Sequence, residues 1–202
     1  DLAIAWRWES ADGALDLDAL RERHPEIGLR NFKTTPLMVG GVVYVSTPLA
    51  LSAALDAGTG EGLWVFQATP NDVWNMACGR RAGPNCPSAE ESIRRDWDFG
   101  GSAILTELPD GRELLLAGQK SGHLWALDPE DGNVVWAQRR GRGGALGGNH
   151  WGIAIDGERV FLTISDPGAG DDRVPGVYTF DIATGTPLWE HRLSPDCAGD
   201  RQ

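Results

Sequence analysis

The stretch Ser121–Trp136, SGHLWALDPEDGNVVW, decides the fold. A strand-like run ends at Leu127-Asp128, an acidic turn closes on Gly132, and a second apolar run stops at Trp136. The same outline recurs at Leu55–Trp64 (LDAGTGEGLW) and Phe180–Trp189 (FDIATGTPLW). Aligned on Asp56, Asp128 and Asp181, each copy places Gly four residues on (Gly60, Gly132, Gly185) and Trp eight residues on (Trp64, Trp136, Trp189). The aspartates are 72 and 53 residues apart. Strand-like units repeating every ~40–50 residues point to a β-propeller.

Each conserved offset has a physical use. Gly at a fixed turn position takes positive φ without a Cβ clash. The Asp carboxylate accepts hydrogen bonds from the turn backbone. The Trp is a large apolar plate at the end of an outer strand, suited to packing on the neighbouring unit. One such unit cannot bury both faces, whereas stacked units bury a continuous core.

Strands are expected at Thr35–Val39, Val42–Thr47, Ala50–Asp56 and Gly62–Gln67, with Gly40-Gly41 as the first hairpin turn. A second set spans Ser102–Glu107, Glu113–Ala117, His123–Asp128 and Val134–Arg140. A third spans Trp151–Ile155, Arg159–Ser165, Gly176–Asp181 and Leu188–Leu193. Ala3–Glu9, with Trp6 and Trp8, reads as a lone strand of a further blade, and Leu15–His24 is the one helix candidate. The expectation is therefore an all-β chain, a single partial propeller domain over 1–202 with four-stranded blades at about 31–67, 98–140 and 149–193. Propellers have about 4–8 blades, so three blades and a spare strand suggest a shortened ring, a fragment, or half of an assembly. The open end blades would expose strand edges and Trp faces, a route to oligomers.

Composition agrees with a globular all-β chain: of 202 residues, 41% are apolar and 23% charged, with 27 Gly and 9 Trp. A net charge of −11 disfavours non-specific nucleic-acid or anionic-membrane binding, which needs clustered Lys and Arg. The only basic cluster, Arg139-Arg140-Gly141-Arg142, reads as a solvated loop, the alternative being an anion site. No run approaches ~18 consecutive apolar residues, so no helical membrane span is expected. No signal peptide is read, although the sequence opens on Asp1 rather than Met. Cys78 and Cys86 flank the Gly/Pro loop GRRAGPN and could form a disulfide, the alternative being two free thiols; Cys197 is left over. No His/Cys set has zinc-ligand spacing.

The repeats, AALDAGTGEGLW most clearly, resemble the tryptophan-docking motif of quinoprotein dehydrogenases. NFKTTPLMVGGVVYVSTP (Asn31–Pro48) looks like the first blade of that family. TPNDVWNMACGRRAGPNCP (Thr69–Pro87), DWDFGGSAIL (Asp96–Leu105), LLLAGQKSGHLWALD (Leu114–Asp128) and GRGGALGGNHWG (Gly141–Gly152) look like its polyvinyl-alcohol dehydrogenase branch. The resemblance implies an eight-bladed ring holding pyrroloquinoline quinone (PQQ) and Ca²⁺ near its axis, an alcohol or polyol substrate, a cytochrome c electron acceptor, and a periplasmic or secreted location. Near Gln67-Ala68 the sequence jumps from the family's first blade to a middle one, as though two to three blades were missing. The missing part is where the family's metal ligands lie, so none is assigned here.

Alcohol oxidation by a quinone needs a base for the hydroxyl proton, an electrophilic carbon for the hydride, and positive charge beside the developing oxyanion. Asp96 is the first candidate for the base and Asp98 the second, the plain alternative being turn acceptors. Lys120, in GQKSG, matches the family's cationic position on the quinone oxygens, the alternative being a solvated lysine; Gln119 and Ser121 are its neighbours. Asn75 stands where the family's base motif continues and could orient a base without being one. Trp151 is either a quinone-stacking plate or a structural aromatic; His150, Trp97 and Trp125 read as structural. No GxSxG elbow surrounds Ser102, and the Gly-rich run 141–148 lacks the context of a nucleotide loop. Two functions compete: a PQQ-dependent alcohol dehydrogenase, and a non-catalytic propeller scaffold or inactive fragment.

Overall fold

The computed structural model describes residues 3–10, 35–47, 51–69, 96–167 and 172–193. They form three four-stranded antiparallel sheets, each a meander in chain order. The first holds β1 (Leu37–Val39), β2 (Val42–Ser46), β3 (Leu51–Asp56) and β4 (Gly62–Gln67). The second holds β5 (Ile104–Glu107), β6 (Glu113–Gly118), β7 (His123–Leu127) and β8 (Val134–Arg139). The third holds β9 (Ile153–Ile155), β10 (Arg159–Ile164), β11 (Gly176–Asp181) and β12 (Pro187–Arg192). Every strand predicted in the three blades is present, with no end displaced by more than two residues. The segment Ala3–Ser10 forms no strand, and the helix predicted at Leu15–His24 lies outside the described residues.

The three sheets share one local design. In each, the last hairpin carries a register shift: between Ala54 and Leu55, Ala126 and Leu127, and Thr179 and Phe180. In each, the turn glycine donates its N–H to the aspartate carbonyl, at 2.8 Å (Gly60 to Asp56), 2.9 Å (Gly132 to Asp128) and 2.9 Å (Gly185 to Asp181). The aspartate carboxylate also works in the turn. Asp56 Oδ1 accepts from Thr59 N at 2.7 Å, Asp181 Oδ1 from Thr184 N at 2.9 Å, and Asp128 Oδ1 from Glu130 N at 2.8 Å.

The tryptophans tie one unit to the next. Trp64 Nε1 donates to Pro129 O of the second sheet's turn at 2.8 Å, and Trp136 Nε1 donates to Ile182 O of the third at 3.1 Å. The indole then lies flat against the turn glycine. A Cβ on Gly132 would stand 2.6 Å from the Trp64 ring, and one on Gly185 2.7 Å from the Trp136 ring. These glycines are thus required twice: for φ of +74° and +71°, and for the close approach of the plate. Trp6 repeats the contact without a strand. Its Nε1 donates to Ala57 O at 2.9 Å, and its ring leaves no room for a Cβ on Gly60.

The core lies between sheets. Leu114, Leu116, Leu124, Ala126 and Trp136 of the second sheet pack with Val160, Leu162, Ile164, Tyr178 and Phe180 of the third. Leu115 and Leu127 turn the other way, toward Tyr44 and Ala54 of the first. The run Leu114–Gly118 is therefore buried on both faces, which explains LLLA where a half-exposed strand would alternate. The arginines of the basic run are engaged within the fold rather than fully solvated. The Arg139 guanidinium lies 5.6 Å over the Trp97 ring, Arg140 lies 5.1 Å over Phe180, and Arg142 pairs with buried Asp166 at 3.2 Å.

Burial separates the three repeat tryptophans. Trp136 is 9% exposed and Trp189 46%. Trp136→Ala is expected to destabilise the chain by about 3–5 kcal/mol, whereas Trp189→Ala should cost well under half of that. Denaturant midpoints of the two variants check the difference.

Candidate active site

The β6–β7 turn, Gln119–Gly122, and the two segments that run from one sheet to the next meet on one side of the second sheet. The meeting is main chain against main chain. A Cβ on Gly100 would lie 2.6 Å from His150 O, one on Gly101 2.5 Å from Gly152 Cα, and one on Gly143 2.8 Å from Lys120 O. Lys120 N donates to Asp98 O at 3.0 Å, and Asn149 N to Gln119 O at 3.1 Å. These contacts hold the lysine turn beside the segment that precedes β5.

Lys120 is buried in that place, with an exposure of 8%. Its Nζ donates to Asp96 Oδ1 at 2.8 Å and to Asp98 Oδ2 at 2.9 Å. Two of its three N–H groups are thereby used. Sequence reasoning named all three residues, and the fold brings them to one point. Trp97, between the two aspartates, goes to Arg139 instead. Asp96 is almost closed off, with a side-chain exposure of 7%, while Asp98 keeps 31%.

The electrostatics follow from this packing. Burial raises the Asp98 carboxyl above the ordinary aspartate range and the neighbouring Asp96 adds to it, against the pull of Lys120. Burial pulls Lys120 down, but hydrogen bonds and charge from Asp96 and Asp98 outweigh it, and the ammonium is held above the ordinary lysine value.

Behind the turn lies a polar network that the sequence did not reveal as such. Gln119 is fully buried; its Oε1 accepts from Trp125 Nε1 at 3.1 Å and from Ser121 Oγ at 2.6 Å. An indole N–H only donates, so the amide oxygen must face Trp125. The single Ser121 hydroxyl proton then goes to that oxygen, and His123 Nδ1, 2.8 Å from Ser121 Oγ, must carry a proton and donate it. His123 stacks on Trp125 with ring centroids 4.8 Å apart. Burial, then the charge of Arg139, depress its pKa to about 4. The available clue was the set of polar residues Gln119, Lys120, Ser121 and His123, directly after the apolar run Leu114–Gly118. Asn149 was also missed: it is fully buried, and its Nδ2 donates to Gly152 O at 2.7 Å and Thr163 O at 3.0 Å.

Trp151 is 92% exposed, and the backbone beside it packs on Gly101, three residues past Asp98. His150 Nε2 lies 2.9 Å from Ala145 O, on the same connection. Asn75, Cys78 and Cys86 lie outside the described residues. Among the described residues no group of three His, Cys, Asp or Glu side chains is placed to share a metal ion.

A buried ammonium between two carboxylates sits in the connections of a tryptophan-docked propeller, the fold of the quinoprotein dehydrogenases. The chain belongs to that family: residues 1–196 match the model for the glucose/ethanol/alcohol dehydrogenase β-propeller domain, designated PQQ. Among curated proteins it is 37% identical over 160 residues to a polyvinylalcohol dehydrogenase of a Pseudomonas species, covering 74% of this chain and 24% of that protein. The polyvinylalcohol dehydrogenase of a Sphingopyxis species is 36% identical over 148 residues, covering 71% of this chain and 22% of that protein. The chain thus spans about a quarter of the length of these relatives. Among solved structures, the quinohemoprotein alcohol dehydrogenase of Comamonas testosteroni superposes with a TM-score of 0.55 at 21% identity, over 81% of this chain and 21% of that one. A europium-containing methanol dehydrogenase gives 0.56 at 15% identity, over 80% and 32%. These likenesses establish the propeller fold.

The depressed His123 pKa carries a sign that can be tested. The unfolded histidine binds a proton below about pH 6.5, while the folded one resists until about pH 4. Stability should therefore fall as pH drops through that window. Wild type should lose about 1–2 kcal/mol more than His123→Gln between pH 7 and 4.5, after discounting for partial exposure. Urea midpoints at the two pH values check it.

Proposed function

We propose that this chain contributes an active-site sector of a PQQ-dependent oxidoreductase acting on an alcohol or polyol. The buried Asp96–Lys120–Asp98 triad carries the reading. A solvated lysine would leave its charge in water; this one is desolvated, held in place by its turn, and among the described residues has one N–H left for an incoming acceptor. That donor suits a quinone oxygen, and the ammonium suits an anionic ligand. An exposed indole at Trp151 offers a face for a planar ring. The desolvated triad favours this reading over a non-catalytic scaffold.

In this reading Lys120 anchors the cofactor, and Asp96 is the base that receives the hydroxyl proton of the substrate. Bound PQQ supplies the electrophilic carbon that accepts the hydride. Asp96 is held by the Lys120 ammonium at 2.8 Å and shielded from water, which fixes its carboxylate for the proton transfer. The glycine-seamed backbone fixes the turn, so little rearrangement is needed on binding. Transfer of electrons to a cytochrome c, a periplasmic or secreted location, and a Cys78–Cys86 disulfide belong to the same proposal. Ca²⁺ belongs to it through the family resemblance alone; the described residues do not form a ligand set for it, and no step is routed through it.

The test is quinone binding followed by fluorescence, together with dye-linked oxidation of a secondary alcohol. Lys120→Ala is expected to weaken PQQ binding tenfold or more. Asp96→Asn should leave binding nearly intact and lower kcat by about 10²–10⁴. Equal PQQ affinity in wild type and Lys120→Ala, or none in wild type, would remove the proposal.

A further inference from the structure

Asp96 poses a problem as a base: once protonated it is shut away from solvent, with a side-chain exposure of 7%. We propose that Asp98 is the outlet through which the proton taken up by Asp96 leaves the site. The inference rests on the base assigned above and adds a residue and a route to it.

Geometry supports the route. Asp96 and Asp98 bind the same Lys120 Nζ, at 2.8 and 2.9 Å, so their carboxyl groups sit on one side of the segment and next to each other. They differ in access, since Asp98 keeps 31% of its side-chain surface in solvent. A proton moving from Asp96 to Asp98 goes from a closed site to an open one, with the ammonium beside it throughout. Asp98 is also clipped in position, because its carbonyl accepts the Lys120 N–H at 3.0 Å. Burial and the Asp96 charge raise its proton affinity, so it can hold a proton in transit. Among the described residues of the neighbouring segments, Arg139 is engaged with the Trp97 ring, Arg140 with Phe180, Arg142 with Asp166, His123 with Ser121, and His150 lies beside Ala145 O. None of these replaces Asp98 on the ammonium.

The steps balance. The substrate O–H proton passes to Asp96 as the hydride leaves the adjacent carbon for the cofactor. Asp96 then gives its proton to ionised Asp98, and Asp98 gives it to water or a buffer base. Both carboxylates are regenerated. Asp98 acts through Asp96 and so is a positioning residue for the proton.

Two arms test this. The first needs no cofactor: infrared spectra of the chain are recorded as pH is raised. Wild type should retain a protonated-carboxyl band above the ordinary aspartate range, and Asp98→Asn should lack it. The second uses PQQ-loaded protein. Asp98→Asn should lower steady-state kcat tenfold or more and lower the rate of the first turnover much less. Formate or acetate should restore much of the loss in Asp98→Ala, where the vacated space admits a small acid. A band that persists unchanged in Asp98→Asn, or a kcat equal to wild type, overturns the outlet. Absence of PQQ-dependent turnover in wild type removes the base assignment instead, and the infrared arm still decides whether Asp98 holds the proton.

Discussion

The structure depends on one contact: an indole plate lying flat on the turn glycine of the following sheet, with its ring N–H on a carbonyl of the same turn. Each such plate can bury ~150–250 Å², worth several kcal/mol at ~25 cal/mol per Å². The contact is directional as well as large. The hydrogen bond from Trp64 to Pro129 O and that from Trp136 to Ile182 O fix where each sheet meets the next. Separately, each four-stranded sheet would leave an apolar face in water. Docked in series they bury the second sheet on both faces, and only then can Leu114, Leu115 and Leu116 follow one another in a strand.

That rigidity bears on chemistry. Lys120 lies in a turn whose strand β6 is fixed by two neighbouring sheets, and the segment that delivers Asp96 and Asp98 is tied to it by a main-chain hydrogen bond from Lys120 N to Asp98 O. A buried ion pair is costly to assemble and seldom a net source of stability. Here the cost is met by the docked sheets around it, and the result is a charged cluster already in place. Burial, and then the second carboxylate beside it, leaves Asp98 with a raised proton affinity, which is a useful state for a group that must pass protons on.

The fold was readable because its repeat is written in residues with few alternatives. Gly60, Gly132 and Gly185 are needed for φ and for plate contact alike, and no other residue satisfies both. Trp6 is the instructive exception. Its position in an apolar run suggested a strand, but with no described partner it docks as a single side chain on Ala57 O. The site was readable in part. Asp96 and Asp98 stand two residues apart, which allows both to face one way in an open segment, and a lysine in a tight turn is conspicuous. Their meeting across 22 and 24 residues of sequence depends on pairing that propensity does not encode. The Gln119–Ser121–His123–Trp125 network was hidden for another reason: each member has an ordinary surface or packing role, and only burial turns them into a mutual requirement.

The platform under the triad is made of peptide backbone, packed at Gly100 on His150, Gly101 on Gly152, and Gly143 on Lys120. Almost no side chain takes part in these seams. The charged and aromatic groups above can therefore be exchanged without disturbing what supports them, whereas a side chain at any of these glycines would collide with the facing backbone. Divergence in substrate among propellers built this way should be recorded in the residues between those glycines, with the glycines serving as fixed points for comparing one homologue with another.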